Sequence, residues 1–252
     1  MKFHEFGEQG SPVMMLLHGM LTPWQIWENA AAYFSKEYYV VVPELDGHTE
    51  EEGSTFLSVE REAELLREYA LEHFEGSLQV LCGLSMGARI AASLANMPDV
   101  SVSVLVLDGA PLVKLPGILK TIMKKNYSKL IQKSRRRDPK VMESCSRDFL
   151  PQPLTAHYLK LADHMDEASI SNVIDSVFSP FSYQTYDKSM RILFMHGTKG
   201  NETLARRAAH KMKELNPQTE IRCFEGYAHA QLACFENEKW VREVVSFLVQ
   251  NG

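Results

Sequence analysis

The run Leu78-Gln79-Val80-Leu81-Cys82-Gly83-Leu84-Ser85-Met86-Gly87-Ala88-Arg89-Ile90-Ala91-Ala92 decides the fold. Its first part, Leu78–Leu81, is short and mostly apolar, the pattern of a strand covered on both faces. Its last part opens a segment, Ala88–Asn96, whose apolar residues fall at helical spacing. Between them Gly83-Leu84-Ser85-Met86-Gly87 fits G-x-S-x-G. Strand, tight turn and helix around this motif make the setting of a nucleophile elbow. The residues two before and two after the serine must be small, and the hydroxyl of Ser85 is then held at the carboxyl edge of a sheet.

Working outward, the same alternation continues. Short β-branched or apolar runs stand at Val13–Leu17, Tyr38–Val42, Val100–Leu107, Ile192–Met195 and Glu220–Phe224. Helix-like stretches lie between most of them, at Trp24–Phe34, Ser58–Phe74, Glu202–Leu215 and Glu238–Val249. This predicts an α/β chain with a mostly parallel sheet flanked by helices. One segment interrupts the pattern. From Pro111 to Asp187 no strand is evident, and helical spacing is found at Pro116–Lys133, Val141–Phe149, Ala156–Asp163 and Ser171–Val177. The expected organisation is a core of residues 1–110 and 188–252, with residues 111–187 as a helical cap.

Two further elements belong beside Ser85. His18-Gly19-Met20 follows the run Val13–Leu17 directly, and Gly19 lets the chain turn away from the sheet edge. The backbone N–H groups of Met20 and Met86 are then candidates for an oxyanion hole, with His18 in a structural role. His229, in Gly226-Tyr227-Ala228-His229-Ala230, follows the last predicted strand and is the candidate base, since a serine hydroxyl needs one to become nucleophilic. Leu21 and Trp24, just past the oxyanion turn, are candidates to line the substrate pocket. Ile118, Leu119, Met123 and the Phe178–Phe181 region are candidates from the cap.

The order of HG-x loop, G-x-S-x-G elbow, helical insertion and late histidine resembles the α/β-hydrolase fold family over essentially the whole chain. Pro43-Glu44-Leu45-Asp46-Gly47-His48 is also similar to the family's D-x-x-G-H-G loop, with Thr49 in place of the final glycine. The resemblance implies an eight-stranded, mostly parallel sheet with a cap between strands six and seven. It also implies an acid that orients the histidine, usually three residues past a glycine after strand seven. In His196-Gly197-Thr198-Lys199-Gly200-Asn201-Glu202 that place is held by Gly200. Asp108, closing the run Val104–Leu107 beside the elbow, is where some family members carry the acid, and it is the preferred candidate. Glu202 is the alternative.

These residues point to a serine hydrolase (carboxylesterase-like) acting on a small carboxylic ester or thioester through an acyl-enzyme, with no metal or organic cofactor required. The same serine constellation also serves C–C bond hydrolysis or elimination of a small acid, and a non-catalytic ligand-binding protein can share the fold. Net charge is −5, which argues against a nucleic-acid binder. The four cysteines have no C-x-x-C spacing, so no zinc site is implied. No signal-like or membrane-length apolar run is present, so a cytoplasmic location is expected. The charge is uneven. Lys114–Lys140 carries ten Lys/Arg against one acid, Asp138, so this segment is +9 and the remainder −14. It reads either as a solvated helix face or as a basic lid toward an anionic substrate or membrane surface.

Overall fold

The apolar runs form strands of one sheet in the computed structural model, which describes residues 1–51 and 53–250. The strands are β1 (Lys2–Phe6), β2 (Val13–Leu17), β3 (Tyr39–Glu44), β4 (Ser77–Leu84), β5 (Ser101–Asp108), β6 (Arg191–Gly197) and β7 (Thr219–Phe224). Their order is β1-β3-β2-β4-β5-β6-β7. Only β1 runs antiparallel, against β3; every other pairing is parallel. The central strands β2, β4, β5 and β6 are buried along nearly their whole length, which is why they read as continuous apolar runs. β4 sits between β2 and β5, with Leu81 opposite Met15 on one side and Leu105 on the other.

Ten α-helices join and cover the strands among the described residues: α1 (Glu28–Phe34), α2 (Val59–Phe74), α3 (Met86–Leu94), α4 (Gly117–Arg135), α5 (Pro139–Asp148), α6 (Thr155–His164), α7 (Glu167–Val177), α8 (Glu202–Leu215), α9 (Gln231–Phe235) and α10 (Asn237–Val249). α2 packs on α3, and α1 packs on α10, where the rings of Trp27 and Trp240 meet at 4.6 Å. The start of α2 is set by Ser58, whose hydroxyl accepts from the Arg61 amide. No helix among the described residues is long and apolar enough to cross a membrane.

The sheet has seven strands among the described residues, not eight. The segment before β2 supplies a single strand, which folds back beyond β3 at the sheet edge. Having a neighbour on one side only, β1 stays partly solvated and lacks the apolar signature of the central strands. The helical insertion therefore follows the fifth strand and precedes the sixth. Its helices α4 to α7 pack mainly on one another, α4 against both α6 and α7. Polar bonds tie the insertion to the rest of the chain. The Asp166 carboxylate caps α7 through the Ser169 amide and accepts from the Thr55 hydroxyl. The Phe56 amide donates to Ser169 Oγ at 2.9 Å. Arg89, buried in α3, donates to Ser179 Oγ at 3.0 Å and to the Pro180 carbonyl at 2.9 Å.

Candidate active site

Ser85 sits between β4 and α3 with φ 54° and ψ −111°, a conformation costly for a residue with a side chain. Neighbouring contacts hold it there. Its amide donates to the Asp108 carbonyl at 2.7 Å. The turn also needs glycine on both sides. A Cβ on Gly87 would lie 2.5 Å from the carbonyl oxygens of both Leu17 and His18, and one on Gly83 would lie 2.5 Å from the Ala88 amide nitrogen. So α3 approaches the end of β2 as closely as backbone permits, and the hydroxyl emerges at the carboxyl edge of the sheet.

His229 is brought to Ser85 by the loop after β7. That loop is pinned to the loop after β6: the Tyr227 carbonyl accepts from the amides of Thr198 and Lys199, each at 3.0 Å, and the Gly226 amide donates to the Thr198 hydroxyl at 2.8 Å. His229 Nε2 lies 2.8 Å from Ser85 Oγ. Nδ1 on the other side of the ring is hydrogen-bonded to Glu202 Oε1. Glu202 is the first residue of α8, 2% exposed, and its second oxygen accepts from the Gly197 amide at 2.6 Å. Burial alone raises the pKa of such a carboxyl. The hydrogen bond and charge of His229, together with the Gly197 amide, outweigh it and hold Glu202 below its ordinary value. Glu202 is thus an ionised acceptor for an Nδ1–H, which leaves Nε2 free to accept the serine proton.

Asp108, the preferred candidate for this part, is not the carboxylate that the structure places on His229. Asp108 closes β5 beside the site, but its side chain makes no hydrogen bond to His229. The backbone of Gly109, at φ 61°, lies under the imidazole instead, and a Cβ there would stand 2.9 Å from His229 Cε1. Asp108 is buried and its Oδ2 has no hydrogen-bond partner among the described residues. Burial first, and then the nearby Glu202 charge, push its carboxyl up to about 7, with His229 and Trp240 acting the other way. The folded chain therefore holds this proton more tightly than the unfolded chain, whose value is near 3.8. The contribution of Asp108 to stability is accordingly full below about pH 4 and lost as pH rises toward 7. Asp108→Asn should remove that loss. Urea midpoints at pH 5 and pH 8 should show a gain over wild type that is larger at pH 8.

Both oxyanion candidates lie beside Ser85. Met20 and Met86 both line the cavity at Ser85, and Met86 is the first residue of α3, where backbone N–H groups have no partner within the helix. His18 is structural in geometry. Its Nδ1 lies 2.9 Å from the Gly19 carbonyl and its Nε2 accepts from the Leu45 amide at 3.2 Å, clamping the Gly19 turn to the loop after β3. Burial, and then the neighbouring His48, lower its pKa to about 3, so it stays neutral.

Leu21 and Trp24, expected beside the substrate pocket, do not line this cavity. Leu21 has φ 60°, which reverses the chain and buries its side chain in the core. Trp24 stacks on His4 at 3.7 Å, beside β1. Thr22 takes the lining position, its hydroxyl bonded to the Gly19 carbonyl at 2.8 Å. From the insertion, Met123 and Phe178 do line the cavity, joined by Tyr127 and Phe149, whereas Ile118 and Leu119 face solvent. The cavity volume is about 90 Å³, and among the described residues no Lys, Arg, Asp or Glu lines it. The basic segment is largely directed elsewhere. Lys120 and Lys124 pair with Asp175, Arg137 pairs with Asp163, and Arg135 donates to the carbonyls of Ala162 and Met165. No cluster of three metal-ligating side chains is found among the described residues.

A serine at a strand–helix elbow, on a parallel sheet of this order, defines the α/β-hydrolase fold. The chain belongs to the alpha/beta hydrolase family, whose model matches residues 14–245. Among solved structures it is similar to an alpha/beta hydrolase family protein from Desulfitobacterium hafniense (22% identity, 98% of this chain and 100% of that one, TM-score 0.75). It is also similar to an esterase from Exiguobacterium antarcticum (20%, 98% and 94%, TM-score 0.71) and to MenH from S. aureus (18%, 98% and 97%, TM-score 0.70). At these identities the likeness establishes the fold. A search of curated proteins finds no match.

Proposed function

We propose that the protein is a serine hydrolase that cleaves a small, uncharged carboxylic ester or thioester. The observation that carries this reading is the unbroken hydrogen-bond chain from Glu202 through His229 to Ser85. In the proposed reaction Ser85 Oγ attacks the substrate carbonyl carbon while His229 Nε2 takes its proton. The oxyanion is held by the amides of Met20 and Met86. His229 then protonates the leaving alcohol or thiol, and the acyl group stays on Ser85. Water attacks that acyl carbon, giving its proton to His229, and the carboxylic acid leaves as Ser85 recovers a proton. Glu202 remains ionised throughout and stabilises the imidazolium.

The choice of a small, neutral substrate rests on the cavity. Its walls from the insertion are Met123, Tyr127, Phe149, Val173 and Phe178, with no cation to meet a substrate carboxylate or phosphate. A buried anion without such a partner is strongly disfavoured. The helices 117–177 act in this proposal as the cap that selects the acyl group.

Intact mass after fluorophosphonate treatment tests the reading. A single adduct on wild type, absent from Ser85→Ala and accompanied by turnover of short-chain esters, is the expected result. A folded wild-type protein that takes no adduct would sink the proposal.

A further inference from the structure

The outer face of α4 combines two features seldom left to water. Seven large hydrophobic side chains stand exposed among the described residues, and three of them crowd the first turns of this helix: Ile118 (73% exposed), Leu119 (45%) and Ile122 (51%). Continuing along the same face come Lys125, Lys129, Lys133 and Arg136. Steps of four, three, four, four and three residues from Ile118 keep all six on one side of the helix. All four cations are exposed, and none has an acidic partner among the described residues. The neighbouring cations Lys120, Lys124 and Arg137 are all paired within the insertion. The stripe is therefore a free positive charge on an otherwise acidic chain.

This face points away from the chemistry. Met123 and Tyr127, on the opposite side of α4, line the cavity, and Ile131 and Ser134 on that side are buried. The stripe cannot contact a substrate held at Ser85. Its makeup also selects among partners. Four like charges oppose pairing with a second copy through the same face. A nucleic acid would use the cations but leave the isoleucines wet. An anionic bilayer uses both, since lysines meet headgroups while aliphatic side chains at the helix start enter the acyl boundary.

We propose that the outer face of α4 docks the protein on membranes rich in anionic lipid, with Ile118 and Ile122 inserted and Lys125, Lys129, Lys133 and Arg136 on the headgroups. Docking is independent of the hydrolytic step, so Ser85→Ala should bind as wild type does.

Co-sedimentation with vesicles tests this, using phosphatidylcholine alone or mixed with phosphatidylglycerol. Binding to the mixed vesicles only, weakened by added salt, is expected. Replacing Lys125, Lys129 and Lys133 together by Gln should lower the partition constant about a hundredfold, roughly fivefold for each charge. Ile118→Ser with Ile122→Ser should lower it about tenfold. All five positions are exposed, so thermal melts and small-ester turnover should match wild type and certify folded protein. The proposal is overturned by any of three results: no binding of folded wild type to the mixed vesicles, binding that survives either set of substitutions, or concentration-dependent dimerisation abolished by the isoleucine substitutions in place of vesicle binding.

Discussion

Glu202→Gln should lower kcat on a short-chain ester by about three to four orders of magnitude, and Asp108→Asn by less than about threefold. The asymmetry follows from who can donate to whom. The Gly197 amide needs an acceptor and finds it in Glu202 Oε2. A glutamine would turn its carbonyl oxygen to that amide, which leaves its NH2 group facing His229 Nδ1. Nδ1 must then accept, so the ring proton moves to Nε2, against the Ser85 hydroxyl. In that tautomer the imidazole cannot take the serine proton. KM should change little, because neither acid lines the cavity. Steady-state kinetics on both variants decides the matter, and a collapse of kcat in Asp108→Asn with Glu202→Gln near normal would reverse the assignment.

Gly87→Ala should lower the melting temperature by roughly 6–12 °C, the shift that about 3 kcal/mol brings in a chain of this size, and should abolish turnover. The new methyl group would stand 2.5 Å from two carbonyl oxygens, Leu17 and His18. Neither is the movable end of a side chain. Relief requires α3 to withdraw from β2, which shifts Met86 and Ser85 at the start of that helix and Met20 just past His18. Gly117→Ala is the control. Among the described residues nothing lies within 4 Å of a Cβ there, and alanine favours the start of α4, so the melt should hold steady or rise slightly. Differential scanning of both variants separates a crowding effect from a general intolerance of glycine replacement.

Much of this was legible from residues alone because backbone constraint writes directly into sequence. The elbow needs two glycines around its serine. The central strands need apolar side chains on both faces, and the predicted and observed boundaries there agree within a few residues. The late histidine follows from loop position after β7. The acid was not legible in the same way. A carboxylate can reach one imidazole from several backbone positions, and Gly200 empties the usual one. Glu202 reaches the ring because its longer side chain, leaving the first residue of α8, spans back to both His229 and the Gly197 amide. An acidic residue opening the helix directly after β6 was the available signal. Asp108 stands at a carboxyl edge beside the elbow, but Gly109 occupies the space next to the ring. Leu21 and Trp24 misled because a single positive φ at Leu21 turns the following chain away, which no spacing rule reports.

The seam between β5 and β6 carries a consequence for the newborn chain. Asp108 pairs with Met195 across that seam, and residues 109–190 are spelled out before its second side arrives. During synthesis the amino-terminal half can complete β1 to β5 and shape its elbow while Glu202 and His229 are still untranslated. Over that interval Ser85 is an ordinary alcohol. In the proposed triad the serine meets its base and its acid only when the last two strands add to the sheet, so a truncated or stalled product would carry the motif without either partner.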